Sequence, residues 1–418
     1  VKISNTSPTT TKTENSIRTL PRNVWAVSLT SFFMDISSEM VINIVPLFLA
    51  NVLGVQTVII GLIEGIAEAT ASLLKLFSGW LSDKLRGRKW LAVAGYGLSA
   101  VTKPFFYFAT TWEAIAGVRW LDRVGKGIRT APRDALVADS VSEDKRGLAF
   151  GFQRAADTAG AMLGLLIAFG AVWLAQANAV KLGLSTFRTI VVISLFPALL
   201  AVLALAFGAQ DVPVLKERAL PKFAFRSLGK PFVVFMVIVG LFELGNSSDA
   251  FLVLRAQDRG LSVIGILGML VCFNLVYTLI SAPAGSLSDR IGRRKLIVSG
   301  WLVYAAVYFG FGVAHTGWQV WLLYMVYGLY YGMAYGTSKA IIADLVPDTV
   351  RGTAYGTYNA VIGIIDFPAS LIAGLLWQGL GSWPGLGASA PFLFGSVIAL
   401  LSAILLIFWL PKVQSQTA

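Results

Sequence analysis

GWLSDKLRGRK, residues 79–89, returns with few changes as GSLSDRIGRRK at residues 285–295. Each copy places a glycine, a carboxylate and a basic cluster at the end of a long apolar stretch. A second pair behaves alike: DSVSEDKRGLAFG (139–151) returns as DLVPDTVRGTAYG (344–356). The first pair is offset by 206 residues and the second by 205. Two independent motifs recurring at nearly one spacing mean that the chain is built from a duplicated unit.

The residues between these motifs set the class. The 418-residue chain is 56% hydrophobic and only 13% charged, with a mean hydropathy of +0.72. Soluble domains carry roughly 25% charged residues. Apolar runs of about 20 residues recur, which is the hydrocarbon thickness of a bilayer in helical rise. Helices are expected near 24–50, 57–82, 90–110, 112–139, 147–175, 186–208, 231–254, 261–286, 296–314, 318–345, 352–378 and 390–410. The expected fold is thus an all-α polytopic membrane protein with twelve transmembrane helices in two six-helix repeats. Six is even, so the repeats are parallel, with a substrate site expected between them near the midplane. The alternating segments of about ten residues that a β-barrel needs are absent.

Residues 1–22 read as a disordered tail and not a signal peptide. Residues 23–208 and 231–411 form the expected bundles, 209–230 a linker, and 412–418 a C-terminal tail. With the N-terminus in the cytosol, 21 of the 34 Lys and Arg fall in cytosolic tails and loops. Only Lys181, Arg188, Arg255 and Arg259 are assigned to outer loops. This asymmetry places both termini inside and explains most of the net charge of +12 without a nucleic-acid partner. One Cys (Cys272) and one His (His315) leave no disulfide framework or zinc-type ligand set, so no metal or other cofactor is expected.

With these loops and twelve spans together, the chain resembles the major facilitator superfamily from about residue 24 to 410. RVGKGIRTA (123–131) is similar to that family's helix-4 pattern, and DRVGKGIRTAPRDAL resembles a prokaryotic branch whose substrates are mostly unassigned. The resemblance implies a transporter in a prokaryotic inner membrane. It also implies a cytosolic latch, with Gly79, Asp83 and Arg88 in one half and Gly285, Asp289 and Arg293 in the other. Asp139 with Arg146, and Asp344 with Arg351, form a second symmetric set. Read without the family, the same basic clusters hold the loops in the cytosol.

The fourth helix, RWLDRVGKGIRTAPRDALVAD (119–139), carries five of the nine Lys and Arg assigned to the expected spans. At 100° per residue, Arg119, Asp122, Arg123, Lys126, Arg129, Arg133 and Asp134 fall on one stripe of roughly 140°. A charge at the bilayer centre costs at least about 2.5–3.5 kcal/mol, so this stripe must face an interior. Partners of matching spacing are Asp35 and Glu39 on helix 1, Glu64, Glu68 and Lys75 on helix 2, and Arg154 and Asp157 on helix 5. Acids and bases nearly balance, so about half are expected to be structural pairs. Arg133, Asp134, Arg154 and Asp157 lie toward the cytosolic end, as gate or scaffold. The central group is expected to bind and couple: Arg119, Arg123, Lys126 and Glu64 to cargo, and Asp35, Glu39 and Glu68 to protons.

The copy of this helix, MVYGLYYGMAYGTSKAIIAD (325–344), replaces the charges with tyrosine and glycine. Its tyrosines, Tyr331 among them, serve either as packing or as an aromatic wall for cargo. Glu243, Asn246, Asn274, Asn359 and Asp366 are the remaining midplane candidates.

No Gly-x4-Gly-Lys-Ser/Thr loop is present, so a gradient should drive transport. Carboxylates buried beside cations are suited to exchange protons. The expected function is secondary active transport of a small organic solute, as proton-coupled efflux by a monomer. The alternative is an importer or exchanger of small organic anions. The helix-5 stretch GAMLGLLIAFG (160–170) keeps the glycines of the superfamily's drug exporters and lacks their proline. An enzyme would need a convergent nucleophile or metal set, and a receptor a cytosolic signalling domain; neither is expected.

Overall fold

Two of the twelve expected spans are interrupted, and at equivalent places. The structure, a computed structural model, describes residues 17–85, 87–142, 145–212, 228–347 and 350–410. Its first span is α1 (Arg22–Ile42) followed by α2 (Val45–Asn51). The seventh is α8 (Lys230–Gly245) followed by α9 (Ala250–Asp258). Single helices had been expected at 24–50 and 231–254. Pro46 explains the first break, because its ring meets the carbonyl four residues back, at Ile42, where α1 ends. The second falls in Asn246-Ser247-Ser248-Asp249, short polar side chains that compete for backbone hydrogen bonds. Ser248 Oγ accepts from Ala250 N at 3.3 Å and starts α9.

The remaining spans are α3 (Thr57–Lys84), α4 (Arg88–Phe108), α5 (Trp112–Asp139), α6 (Arg146–Gln176), α7 (Leu184–Gly208), α10 (Val263–Ile291), α11 (Arg293–Val313), α12 (Gly317–Leu345), α13 (Arg351–Gln378) and α14 (Ala390–Trp409). Among the described residues, nine spans are long and apolar enough to cross a membrane by composition alone. The other three are α4, α5 and α12, which have the length but carry charge or a Tyr/Gly run. Local signals fix helix starts: Thr111 caps α5, Ser262 caps α10, and Thr316 with Gln319 forms a capping box on α12. α5 runs unbroken through Pro132.

The packing repeats as the sequence does. α1 packs on α6 and α7 as α8 packs on α13 and α14, while α3 and α4 hold α5 as α10 and α11 hold α12. The halves meet through α3 against α13 and α6 against α10, which are also equivalent pairs. At the end away from the basic loops they are joined by hydrogen bonds. Thr57 N donates to Gln378 Oε1 at 2.8 Å, and Gln257 Nε2 to Val180 O at 2.8 Å. One expectation changes here. Arg255, assigned to an outer loop, lies buried in α9 and donates to Phe311 O and Gly312 O at 3.0 Å, capping the C-terminal end of α11. Of the expected linker 209–230, residues 213–227 lie outside the described residues, as do residues 1–16 and 411–418 of the tails.

α4 and α5 approach closely where two glycines face each other. A Cβ at Gly125 would stand 2.7 Å from Gly95 O and 2.6 Å from Ser99 Oγ. Gly125→Val is therefore expected to destabilise the protein by about 1–3 kcal/mol through overpacking. Gly147→Val, where a Cβ meets nothing within 4 Å, is expected to change little, and thermal unfolding in detergent compares the two.

Candidate functional site

The stripe on α5 splits into a paired set and an unpaired set. Arg119 is bidentate on Glu64 of α3, with Nε to Oε1 at 3.1 Å and Nη2 to Oε2 at 2.6 Å. Only 1% of Arg119 and 4% of Glu64 is exposed, so this pair is enclosed in protein. Arg123 Nη2 meets Glu68 Oε1 at 2.7 Å, which ties the next turn of α5 to α3. Asp122 turns to α4, where the fully buried Lys103 lies at 3.9 Å and reaches Ser38 Oγ on α1 at 3.3 Å. Four helices are thus joined through groups that lipid could not solvate. Arg119, Glu64 and Glu68, taken from the sequence as cargo or proton ligands, are held in this scaffold.

The unpaired set lies one turn further along. Among the described residues neither Lys126 nor Arg129 has a carboxylate within ion-pair distance. Arg129 stacks its guanidinium 4.5 Å above the Tyr96 ring, a cation–π contact in place of a salt bridge. Lys126 stands among Arg123, Glu68, Lys75 and Arg129. On α1, Asp35 has Asp157, Glu39, Arg129 and Arg133 around it, without an ion pair to any of them. Glu39 accepts from Asn43 Nδ2 at 2.8 Å, beside the first helix break.

The second break has the same device: Asn246 Nδ2 donates to Glu243 Oε2 at 2.8 Å. Asp249, absent from the sequence-derived candidates, ends this break and accepts from the hydroxyls of Tyr327 and Tyr331 at 3.3 and 3.5 Å. The Tyr/Gly run of α12 divides between helix packing and the wall of a cavity. Gly328 and Gly332 fit against Val276 and Ile280 of α10, while Tyr331 and Tyr335 line a cavity. Asn274 and Asn359 turn back on their own helices, donating to Leu270 O and Tyr355 O at 3.0 and 2.9 Å. Asp366 is half-buried on α13.

That cavity, of about 450 Å³, lies between the halves toward the basic loops and is walled by α5, α6, α10 and α12. Arg133 and Asp134 both line it and pair at 2.8 Å, with Asp157 3.9 Å from Arg133. Beyond its mouth, Arg88 bridges Asp83 at 3.1 Å and Asp139 at 2.6 Å. The equivalent Arg293 pairs with Asp344 at 2.5 Å. Arg146 and Arg351 donate to equivalent carbonyls, Ala138 O and Ala343 O. The side chain of Asp289 lies outside the described residues. Gly79 is buried, whereas a Cβ at Gly285 would meet nothing within 4 Å. Each of these described ion pairs stays within its own half.

Twelve spans in two equivalent halves, closed at one end and enclosing a charged cavity at the other, define the class of secondary transporters. Family comparison agrees: residues 27–262 and 248–418 match the Major Facilitator Superfamily. The chain is 34% identical over 403 residues to an uncharacterized MFS-type transporter of Methanocaldococcus jannaschii, covering 95% of this chain and 97% of that one. It is 27% identical over 321 residues to the multidrug resistance protein MdtG of Enterobacter lignolyticus, covering 73% and 74%. In fold it is similar to a D-xylose-proton symporter, with a TM-score of 0.76 at 15% identity over 95% of this chain and 99% of that one. The chain belongs to the Major Facilitator Superfamily and is an integral membrane transporter, not an enzyme.

The paired set predicts a stability effect. Glu64→Gln removes the bidentate carboxylate from the buried Arg119 guanidinium, leaving it Glu68 and Asp122 at 3.7 and 3.9 Å, and is expected to cost up to about 3–5 kcal/mol. Glu39→Gln keeps an acceptor for Asn43 and should cost far less. Denaturation of the two variants in matched detergent distinguishes them.

Proposed function

We propose that this transporter expels a small organic solute across a prokaryotic inner membrane by alternating access, driven by protons entering through Asp35 and Glu39. The basic loops and both termini are cytosolic in this reading, so the cavity is open inward and the hydrogen-bonded end is the closed outer gate. The observation that carries the reading is the isolation of Asp35. It is a carboxylate inside the bundle with Arg129, Arg133, Asp157 and Glu39 around it and, among the described residues, no ion pair, while Glu64, Glu68 and Asp122 are all committed to cations. A group of that kind changes protonation as its neighbours move. Protonation removes its attraction for Arg129 and Arg133 and so alters what those cations hold. Outward direction is supported by the 27% identity to a relative named as a multidrug resistance protein.

Glu68, grouped with Asp35 and Glu39 on sequence, is assigned to the scaffold because Arg123 holds it at 2.7 Å. Binding energy for cargo comes from Lys126 on one side and from Tyr331 on the other. Glu243 with Asn246 holds the second break in shape. The latch formed by Asp83, Arg88 and Asp139, with Arg293 and Asp344 opposite, resets between states when the mouth closes.

Reconstitution into proteoliposomes tests this directly. With an imposed pH gradient, internal pyranine should report proton movement on addition of cargo from a panel of cationic drugs and carboxylic or phosphorylated metabolites. Asp35→Asn is expected to abolish proton-linked flux, and Glu39→Gln to reduce it by about tenfold or more. Unchanged pH-driven flux in both variants would refute the assignment.

A further inference from the structure

Besides Arg133, which pairs with Asp134, the cavity has a cation on each of its two walls, one from each half. Arg154 on α6 and Lys339 on α12 both line it. Its acids, Asp134 and Asp157, lie 2.8 and 3.9 Å from Arg133, and Asp157 also feels the charge of Arg154 from beyond ion-pair distance. Among the described residues neither Arg154 nor Lys339 has a carboxylate within ion-pair distance. Both instead gather on one aromatic ring. The Arg154 guanidinium carbon is 5.8 Å from the centroid of Tyr335, and Lys339 Nζ is 5.0 Å from it. Arg154 Nη2 also donates to the Tyr277 hydroxyl of α10 at 3.2 Å. Two cations from opposite halves thus converge on a phenol ring, with Tyr331 one turn deeper in the same wall.

We propose that Arg154, Lys339, Tyr335 and Tyr277 form an anion-binding site completed by both halves, and that the cargo is an organic anion whose flat apolar part lies against Tyr331 and Tyr335. This rests on the cavity being the cargo route. A carboxylate, sulfonate or phosphate between the two cations accepts charge-assisted hydrogen bonds from each. It also removes the repulsion between like charges on facing walls, which opposes closure of the mouth. An anion therefore favours the closed mouth over the open one, which is the differential affinity that alternating access requires. A free cation at this position would add a third positive charge.

The site lies beside a membrane, and a lipid phosphate would offer the same chemistry, so the test separates the two sources. Naphthalene-1-sulfonate and naphthalen-1-ylmethylammonium share a ring system and differ in charge. Each is titrated calorimetrically against the full chain in phosphatidylcholine nanodiscs. The sulfonate is expected to bind at least about tenfold more tightly than the ammonium compound. Arg154→Gln and Lys339→Gln should each weaken the sulfonate by about tenfold and leave the ammonium compound unaffected. Arg154→Lys and Lys339→Arg, which keep the charge, should bind the sulfonate nearly as wild type and guard against misfolding of the neutral variants. Equal binding of the two probes by wild type, or full sulfonate affinity in both Gln variants, overturns the site. In nanodiscs containing phosphatidylglycerol, retained sulfonate binding supports a soluble cargo. Displacement assigns the site to a lipid headgroup and overturns the cargo assignment. The readout is binding alone, so anion preference without pH-driven flux would keep this site and remove the proton coupling.

Discussion

Everything in the N-terminal half is arranged around one constraint: the charges of α5 cannot meet lipid. The helix carries five cations between residues 119 and 133, and each would cost at least about 2.5–3.5 kcal/mol at the bilayer centre. The solution is a helix enclosed on several sides. Glu64 and Glu68 bring α3 to it, Lys103 brings α4 to Asp122, and Ser38 ties Lys103 back to α1. Close glycine contacts between α4 and α5 let these short side-chain reaches work. Buried pairs of this kind add little net stability compared with apolar packing, but they are costly to break singly. Their effect is to fix the rotation of α5, and with it the direction in which Lys126, Arg129 and Arg133 point.

Much of this was legible from one dimension. The repeats at 79–89 and 285–295 imply two parallel halves, and the equivalent packing of α3 with α13 and of α6 with α10 follows from that duplication. Helical periodicity correctly put the α5 cations on one face, because the angle between residues on a helix depends only on spacing. Periodicity does not say which neighbour a residue on that face meets. Lys103 stood alone in its helix with no spacing to link it to Asp122, and Glu68 looked as free as Asp35 until α3 and α5 were seen side by side. Asp249 was missed for a different reason. It follows Asn246-Ser247-Ser248, which was read through as part of a continuous helix, so the residue ending the break carried no special weight. Pro46 was the available signal for the equivalent break in the first half.

The two halves share a fold and have divided the chemistry. At the positions where α5 carries Lys126 and Thr130, the equivalent α12 positions carry Tyr331 and Tyr335. One wall of the inter-half space is therefore cationic and the other mostly phenolic, with Lys339 the exception near the mouth. Carboxylates without an ion pair among the described residues sit deeper, at Asp35 and Glu39 in one half and Glu243 and Asp249 in the other, three of them close to the helix breaks. In the proposed function, this separation of protonatable acids from anion-seeking cations gives protons and cargo separate footholds, with Arg129 and Arg133 adjoining both.

Such a path works only if the two ends open in alternation. Double electron–electron resonance on spin-labelled pairs measures this most directly, in a background with Cys272→Ala. One pair, Gly151→Cys with Gly336→Cys, spans the cavity at the basic-loop end. The other, Asn178→Cys with Gln257→Cys, spans the closed end. The account predicts that conditions shortening the first distance, whether a change of pH or saturating cargo, lengthen the second. Distances that change together, or that stay fixed under every condition, would contradict it.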